Sequence, residues 1–362
     1  MLNRLLSHDL PRNRWLALVL VLIVLGLALT PFIFPGTKAL NVSAKIIVFI
    51  VLAASFDLLL GYTGIVSFAH TMFFGIGAYG IAVASTRLGP GWGALALGVA
   101  GALALSTVLS VVIGLFSLRV RAIFFAMITL AVASAFLTLA SQLSDFTGGE
   151  DGLTFKVPEA LQPGTAYLEQ PLFGASVDGR FATYYGLFFV ALALVSLLLR
   201  IVNSPFGRVL QAIRENDFRA EAIGYRTVVY RTLASVISAL FATLAGVLLA
   251  LWLRYTGPDT TLSFEIMLDV LLIVVIGGMG TVYGAVIGSV LLVLAQNYLQ
   301  DLMKLASSQI ELAVGGVPIV SQLVSPDRWL LWLGILFVLS VYHFPNGVVG
   351  RLRAMRAPER KP

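Results

Sequence analysis

Tyr62, Thr63, Ser67, His70 and Thr71 stand close together in a glycine-rich and otherwise apolar stretch. Their hydroxyl and imidazole groups offer donors and acceptors to a polar solute, and His70 adds a group that titrates near neutral pH. An ionisable group at membrane depth is costly and tends to mark a solute or proton path. The alternative is that Ser and Thr bond to their own backbone while glycines allow tight helix packing. The glycines alone fit packing; the cluster as a whole fits a path. A second pair, Glu265 and Asp269, is spaced four apart and so shares one helix face. That spacing would suit paired-carboxylate acid/base work. An interfacial Glu265 beside an Asp269 that caps or pairs with a neighbour fits it better.

Other chemistry is excluded. His8, His70 and His343 are far apart and never at i,i+4 spacing, so a zinc site is not expected. The absence of cysteine removes disulfides, thiolate metal sites and cysteine nucleophiles. The run Thr147-Gly148-Gly149-Glu150-Asp151-Gly152-Leu153 looks like a phosphate loop only superficially, because it lacks the Gly-Lys-Ser/Thr ending. Neither Gly-x-Ser-x-Gly nor His-Glu-x-x-His occurs. The chain is therefore expected to be non-catalytic, with no cofactor or metal of its own.

These side chains need elements to position them, and composition says which. Hydrophobic residues make up 59% of the 362 and charged residues 12%, half of the usual charged share of about 25%. Mean hydropathy is +0.94. A soluble enzyme and a disordered chain are both ruled out. Several apolar runs approach the roughly 20 residues that cross a bilayer as a helix, so the fold class is an all-α polytopic membrane protein rather than a strand barrel. The net charge of +6 reads as topology rather than as affinity for nucleic acid, because cytoplasmic loops retain Lys and Arg.

Most of the basic residues fall in four clusters. Arg4, Arg12 and Arg14 precede the first apolar run, and Arg119 and Arg121 sit in a short break. Arg200, Arg208, Arg214, Arg219, Arg226 and Arg231 lie in or beside one polar stretch, and Arg351, Arg353, Arg356, Arg360 and Lys361 close the chain. The segment 144–181 holds only Lys156 and Arg180 as basic residues. The positive-inside rule puts the four clusters in the cytoplasm and this segment outside. The expected organisation is a cytoplasmic N-terminus (1–14), a membrane domain (15–350) and a basic cytoplasmic tail (351–362). Within the domain lie external loops at 144–181 and 298–327 and a cytoplasmic loop at 203–231.

About ten crossings are expected from runs of this length: 15–34, 44–60, 61–85, 93–116, 122–143, 182–201, 232–254, two short spans within 264–297, and 328–344. The run 15–34 is too long for a signal core and is read as a retained span. The pair within 264–297 is separated at Gly277-Gly278-Met279-Gly280-Thr281. Residues 307–324 are expected to form a short interfacial helix. Gly61, Gly64, Gly277, Gly278 and Gly280 mark two broken helices. Asp57 and Asp269 precede them, which hints at a duplicated core of the kind transporters often contain.

The cytoplasmic loop has its own pattern. Ser204 before Pro205 is a helix start. Phe206, Val209, Leu210 and Ile213 form one apolar stripe, with Arg208, Gln211, Arg214 and Glu215 largely off it. Gly224 would end a second short helix. A helix lying on lipid headgroups and a docking element for a partner both fit this pattern.

Taken together, these segments resemble the permeases of the branched-chain amino acid ABC transporter family, of the LivM type. The matching pieces are Gly61-Tyr62-Thr63-Gly64 through Gly80 and Leu118-Arg119-Val120-Arg121 leading into 124–130. Then come Thr147-Gly148-Gly149 with Gly152-Leu153, Ser204-Pro205-Phe206-Gly207-Arg208 through Glu215 and Gly224, and Gly277-Gly278-Met279-Gly280-Thr281. They occur in family order and cover most of residues 45–300. The resemblance implies a type II-like importer permease in a bacterial inner membrane, with both termini cytoplasmic. It implies a LivH-type permease partner, two cytoplasmic ATPase subunits that hold ATP and Mg, and a periplasmic binding protein. The stretch Arg208–Gly224 would be the coupling element, with Arg208, Arg214, Glu215, Asp217, Glu221 and Gly224 at the ATPase contact.

The same scaffold is associated with branched-chain and other amino acids, urea, short amides and aromatic acids. The stretch Asp57–Gly80 also resembles urea permeases. A different class of function, an ion- or proton-coupled secondary transporter using Asp57, His70 or Asp269, predicts gradient-driven uptake by the lone chain.

Overall fold

The computed structural model describes residues 14–117, 122–168, 177–314, 325–344 and 347–354. Arg4, Arg12, Arg119, Arg121 and the tail beyond residue 354 lie outside them. In chain order the principal helices are α1 (Arg14–Ile33), α2 (Thr37–Thr63), α3 (His70–Leu88), α4 (Trp92–Ser117), α5 (Ala122–Gln142), α6 (Gly179–Asn203), α7 (Pro205–Glu215), α8 (Asp217–Ala222), α9 (Thr227–Leu253), α10 (Phe264–Gly277), α11 (Val282–Val314), α12 (Trp329–His343) and α13 (Gly347–Ala354). Nine helices among the described residues are long and apolar enough to cross a membrane. Helix α3 is the tenth of the bundle; it is less apolar, but buried along most of its length.

Burial sorts the helices. Helix α2 is buried almost throughout; α9 packs against it, and α3 packs against α9. Helices α1, α4, α5 and α12 leave Leu22, Leu97, Met127 and Leu336 exposed, as lipid-facing helices do. Between α3 and α9 the backbones touch. A Cβ on Gly77 would strike the Thr243 carbonyl, and one on Gly246 would strike the Phe74 carbonyl. Small residues allow this approach, which gives membrane helices much of their packing energy.

Polar side chains then tie helix to helix. Thr243 Oγ1 donates to Ser106 Oγ at 2.6 Å, joining α9 to α4. Ser238 Oγ donates to the Ser55 carbonyl at 2.5 Å, joining α9 to α2. Tyr184 and Tyr185 donate to the carbonyls of Leu27 and Ala28, each at 2.6 Å, and hold α6 on α1.

The acidic segment after α5 is stapled to the end of α9. Leu153–Thr154 (β1) pairs antiparallel with Tyr255–Thr256 (β2), in the register Leu153 to Thr256 and Thr154 to Tyr255. Phe155 N–H donates to the Arg254 carbonyl at 3.1 Å. The segment re-enters the bundle at Asp178, whose carboxylate accepts the Phe181 N–H at 3.0 Å and caps α6.

Two expectations change. Residues 61–63 finish α2 instead of opening the next crossing, and residues 64–69 form no regular helix before α3 starts at His70. Residues 307–314 continue α11 rather than forming a separate interfacial helix, and 315–324 lie outside the described residues. At 33 residues α11 is about 50 Å long, more than the roughly 30 Å hydrocarbon layer.

Candidate functional site

Two chain breaks meet at one end of the bundle. Helix α2 stops because Gly64 takes the left-handed conformation (φ 73°), and Ile65 N–H closes back on the Leu59 carbonyl at 3.2 Å. Residues 64–69 then turn back alongside α2. Phe68 N–H is caught by Thr129 Oγ1 of α5 at 3.1 Å. His70, the first residue of α3, is only 1% exposed and sits 3.0 Å from Ser55 Oγ and 3.4 Å from Ser238 Oγ. Ser55 lies eight residues before the end of α2, roughly 12 Å up its axis. Helix α3 therefore starts inside the bundle, where protein surrounds the broken backbone.

All five path candidates lie around this break. Tyr62, Thr63, Ser67, His70 and Thr71 are all buried. Thr63 Oγ1 bonds to the Leu59 carbonyl of its own helix at 2.7 Å. The Phe56 ring meets His70 edge-on, with centroids 5.2 Å apart.

The second break, between α10 and α11, abuts the first. Asp57 Oδ1 accepts the Gly280 N–H at 2.8 Å. A carboxylate is thus set before the N-terminus of α11, where the helix dipole favours negative charge. Gly61 makes the approach possible: a Cβ there would clash with both Asp57 Oδ1 and the Gly280 nitrogen. Gly280 has φ 79°, a conformation that favours glycine.

Arg214 of α7 completes the junction. Its Nη1 donates to the Gly61 carbonyl, and its charge acts on Asp57. A cation suits the carbonyl end of α2 for the same dipole reason. One line of contacts therefore runs from α7 through Arg214, Gly61, Asp57 and Gly280 to α11. Among the described residues no cluster of His, Cys, Asp or Glu could hold a metal ion.

Residues 38–340, which include both breaks and the loop carrying α7 and α8, match the family described as branched-chain amino acid transport system / permease component. The chain belongs to this family. The high-affinity branched-chain amino acid transport system permease protein LivM of Escherichia coli K12 is 26% identical over 327 residues, covering 86% of this chain and 74% of that protein. The probable LivM of Methanocaldococcus jannaschii is 24% identical over 269 residues, 72% of this chain and 70% of its own. The LivH permease protein of E. coli K12 is 25% identical over 250 residues, 68% of this chain and 79% of its own. No solved structure matches. The protein is thus a multi-pass membrane permease component of the LivM kind.

In this permease the loop carrying α7 and α8 divides into inward and outward residues. Ser204 Oγ accepts the Gly207 N–H at 3.5 Å and caps α7, with Pro205 at its first position. Leu210 and Ile213 are buried, and Phe206 and Val209 are partly buried. Arg208 and Glu215 face outward. Asn216 caps α8 by accepting the Arg219 N–H at 2.9 Å. Asp217 is engaged locally, in an ion pair with Arg231 at 2.9 Å, and Glu221 accepts from Thr227 Oγ1 at 2.7 Å. Gly224, with φ 99°, follows the end of α8.

Phe218 is 87% exposed and Ile223 67%. Sequence reasoning did not single them out, although two apolar residues in a highly charged stretch were a usable signal. The exposed face thus carries Arg208, Glu215, Phe218 and Ile223. Arg214 alone of the outward-read residues reaches back to the junction.

Proposed function

We propose that this permease forms one half of the membrane channel of an ATP-driven importer, and that its substrates are branched-chain or related amino acids. The supporting observation is the line of contacts from α7 to α11 through Arg214. A cytoplasmic helix wired into two helix breaks can pass a push from an ATPase into the bundle. The exposed Arg208, Glu215, Phe218 and Ile223 are the surface such an ATPase would grip, mixing charge with apolar knobs. A LivH-type permease would be the other half, and a periplasmic binding protein would deliver substrate. ATP and Mg belong to the two ATPase subunits, so this chain is not the catalyst. It sits in a bacterial inner membrane with both termini in the cytoplasm.

Affinity purification of the tagged chain from its native membrane tests this. Two ATPases and a second permease should be recovered with it. The chain alone, folded in a gentle detergent, would overturn the importer reading and favour gradient-driven transport. The orientation has its own test. A reporter fused within 160–168 should be periplasmic and one within 210–220 cytoplasmic. A cytoplasmic signal from the first would reverse the topology.

A further inference from the structure

At the opposite end of the bundle from the junction, the N-terminal parts of α2 and α10, the C-terminal end of α9 and Asn297 of α11 line an open cavity of about 400 Å³. Its lining combines three kinds of chemistry. Lys45 of α2 supplies a cation, Glu265 and Asp269 of α10 supply carboxylates one helical turn apart with Asp259 as a third at the rim, and Phe49, Leu249 and Trp252 supply an apolar wall. Lys45 and Asp269 interact electrostatically across this space. Yet no ion pair joins Lys45 to a carboxylate among the described residues. The Lys45 ammonium lies 5.2 Å from the Phe49 ring centroid instead. Two turns further out, Lys38 and Asp301 do close on each other, at 2.5 Å. Asp269 is fixed in place by Gln296 Nε2, which donates to its Oδ1 at 2.7 Å.

We infer that this cavity is a binding site for a zwitterion with an apolar side chain, and that the permease itself selects for the zwitterion rather than leaving selection to a delivering protein. The solute's carboxylate meets Lys45, its ammonium meets Asp269 and Glu265, and its side chain lies against Phe49, Leu249 and Trp252. Lys45 and the carboxylates are held apart across the cavity with no ion pair between them, Asp269 meeting only the neutral Gln296 amide and Lys45 only the Phe49 ring, until a solute with both charges bridges them. A solute lacking one charge leaves the facing protein charge desolvated and unpaired, which is heavily penalised. The inference rests on the importer reading for its direction of transport, but not for the site itself.

The chain has no cysteine, so Ile266→Cys places a unique thiol of this chain on the cavity wall. The complete transporter in proteoliposomes is treated from outside with a membrane-impermeant maleimide. Leucine, 4-methylpentanoate (no ammonium) and 3-methylbutylamine (no carboxylate) are the probes. Leucine should slow labelling at least about tenfold, and the two single-charge analogues should not. Adding Lys45→Met should remove the protection by leucine. Leu249→Cys on the opposite wall repeats the measurement if the first variant does not assemble. Labelling that leucine leaves unchanged, or that all three probes slow alike, overturns the inference. Protection is read without transport. A transporter protected by leucine that takes none up with ATP would therefore sink the importer reading and leave the site standing.

Discussion

Gly61→Val should abolish transport while Gly101→Ala and Gly186→Ala transport as the wild type does. The difference lies in what a new side chain would meet. At Gly61 even a Cβ clashes with the Asp57 carboxylate and the Gly280 nitrogen, whereas at Gly101 and Gly186 nothing lies within 4 Å. The valine must push α2 away from the α10–α11 break and separate Asp57 from the Gly280 N–H. Overpacking a tight contact costs about 1–3 kcal/mol. A buried polar group deprived of its partner costs about 1–3 kcal/mol more. At about 1.4 kcal/mol per tenfold, the junction would be shifted out of its geometry by more than about tenfold. The measurement is ATP-dependent uptake by the assembled transporter, normalised to the amount of the chain in the membrane. A Gly61→Val protein with wild-type uptake would show that the two breaks need not touch.

The spans were legible because a bilayer demands long apolar runs whatever their packing. The caps of α7 and α8 were legible because they are local: Ser204-Pro205 starts the first, and Gly224 follows the end of the second. The meeting of Gly61 with Gly280 was not, since which helices touch depends on shapes far apart in the chain. His70 was visible as a buried ionisable group, but its partners Ser55 and Ser238 come from two other helices. The start of α3 was misplaced for a physical reason. Glycine density suggested a helix entry at Gly61, while one glycine in the left-handed conformation, Gly64, decides where α2 ends. The length of α11 follows from the sequence once packing is known. After Gly288 no glycine or proline interrupts it before Gly315. Lys45 stood in the sequence as a lone charge, and its relation to Glu265 and Asp269 exists only across the folded cavity. The two aspartates that hinted at duplication prove unlike: Asp57 holds the α10–α11 break, and Asp269 faces the cavity at the other end.

Arg214→Ala and Glu215→Ala should fail in different ways, although the residues are neighbours on one helix. Arg214 sends its guanidinium inward to the Gly61 carbonyl, whereas Glu215 faces outward. Alanine keeps α7 helical and capped, so Arg214→Ala should still co-purify with the ATPases and hydrolyse ATP. It loses the charged hydrogen bond to α2, about 1.5–3 kcal/mol, and uptake should fall by about tenfold or more. Arg214→Lys keeps the charge but loses the planar, directed donor, so it should restore uptake only in part. Glu215→Ala leaves the junction intact and should instead reduce the ATPase recovered with the chain. Co-purification, ATP hydrolysis and uptake, measured together on each variant, separate the two roles. If Arg214→Ala sheds the ATPase as Glu215→Ala does, the arginine is a docking residue and its reach to Gly61 carries no signal. If both variants transport normally, neither residue couples the loop to the channel. The expected split, hydrolysis without uptake for one and lost partner for the other, would place the transmission step at a single bond between the loop helix α7 and the end of the membrane helix α2.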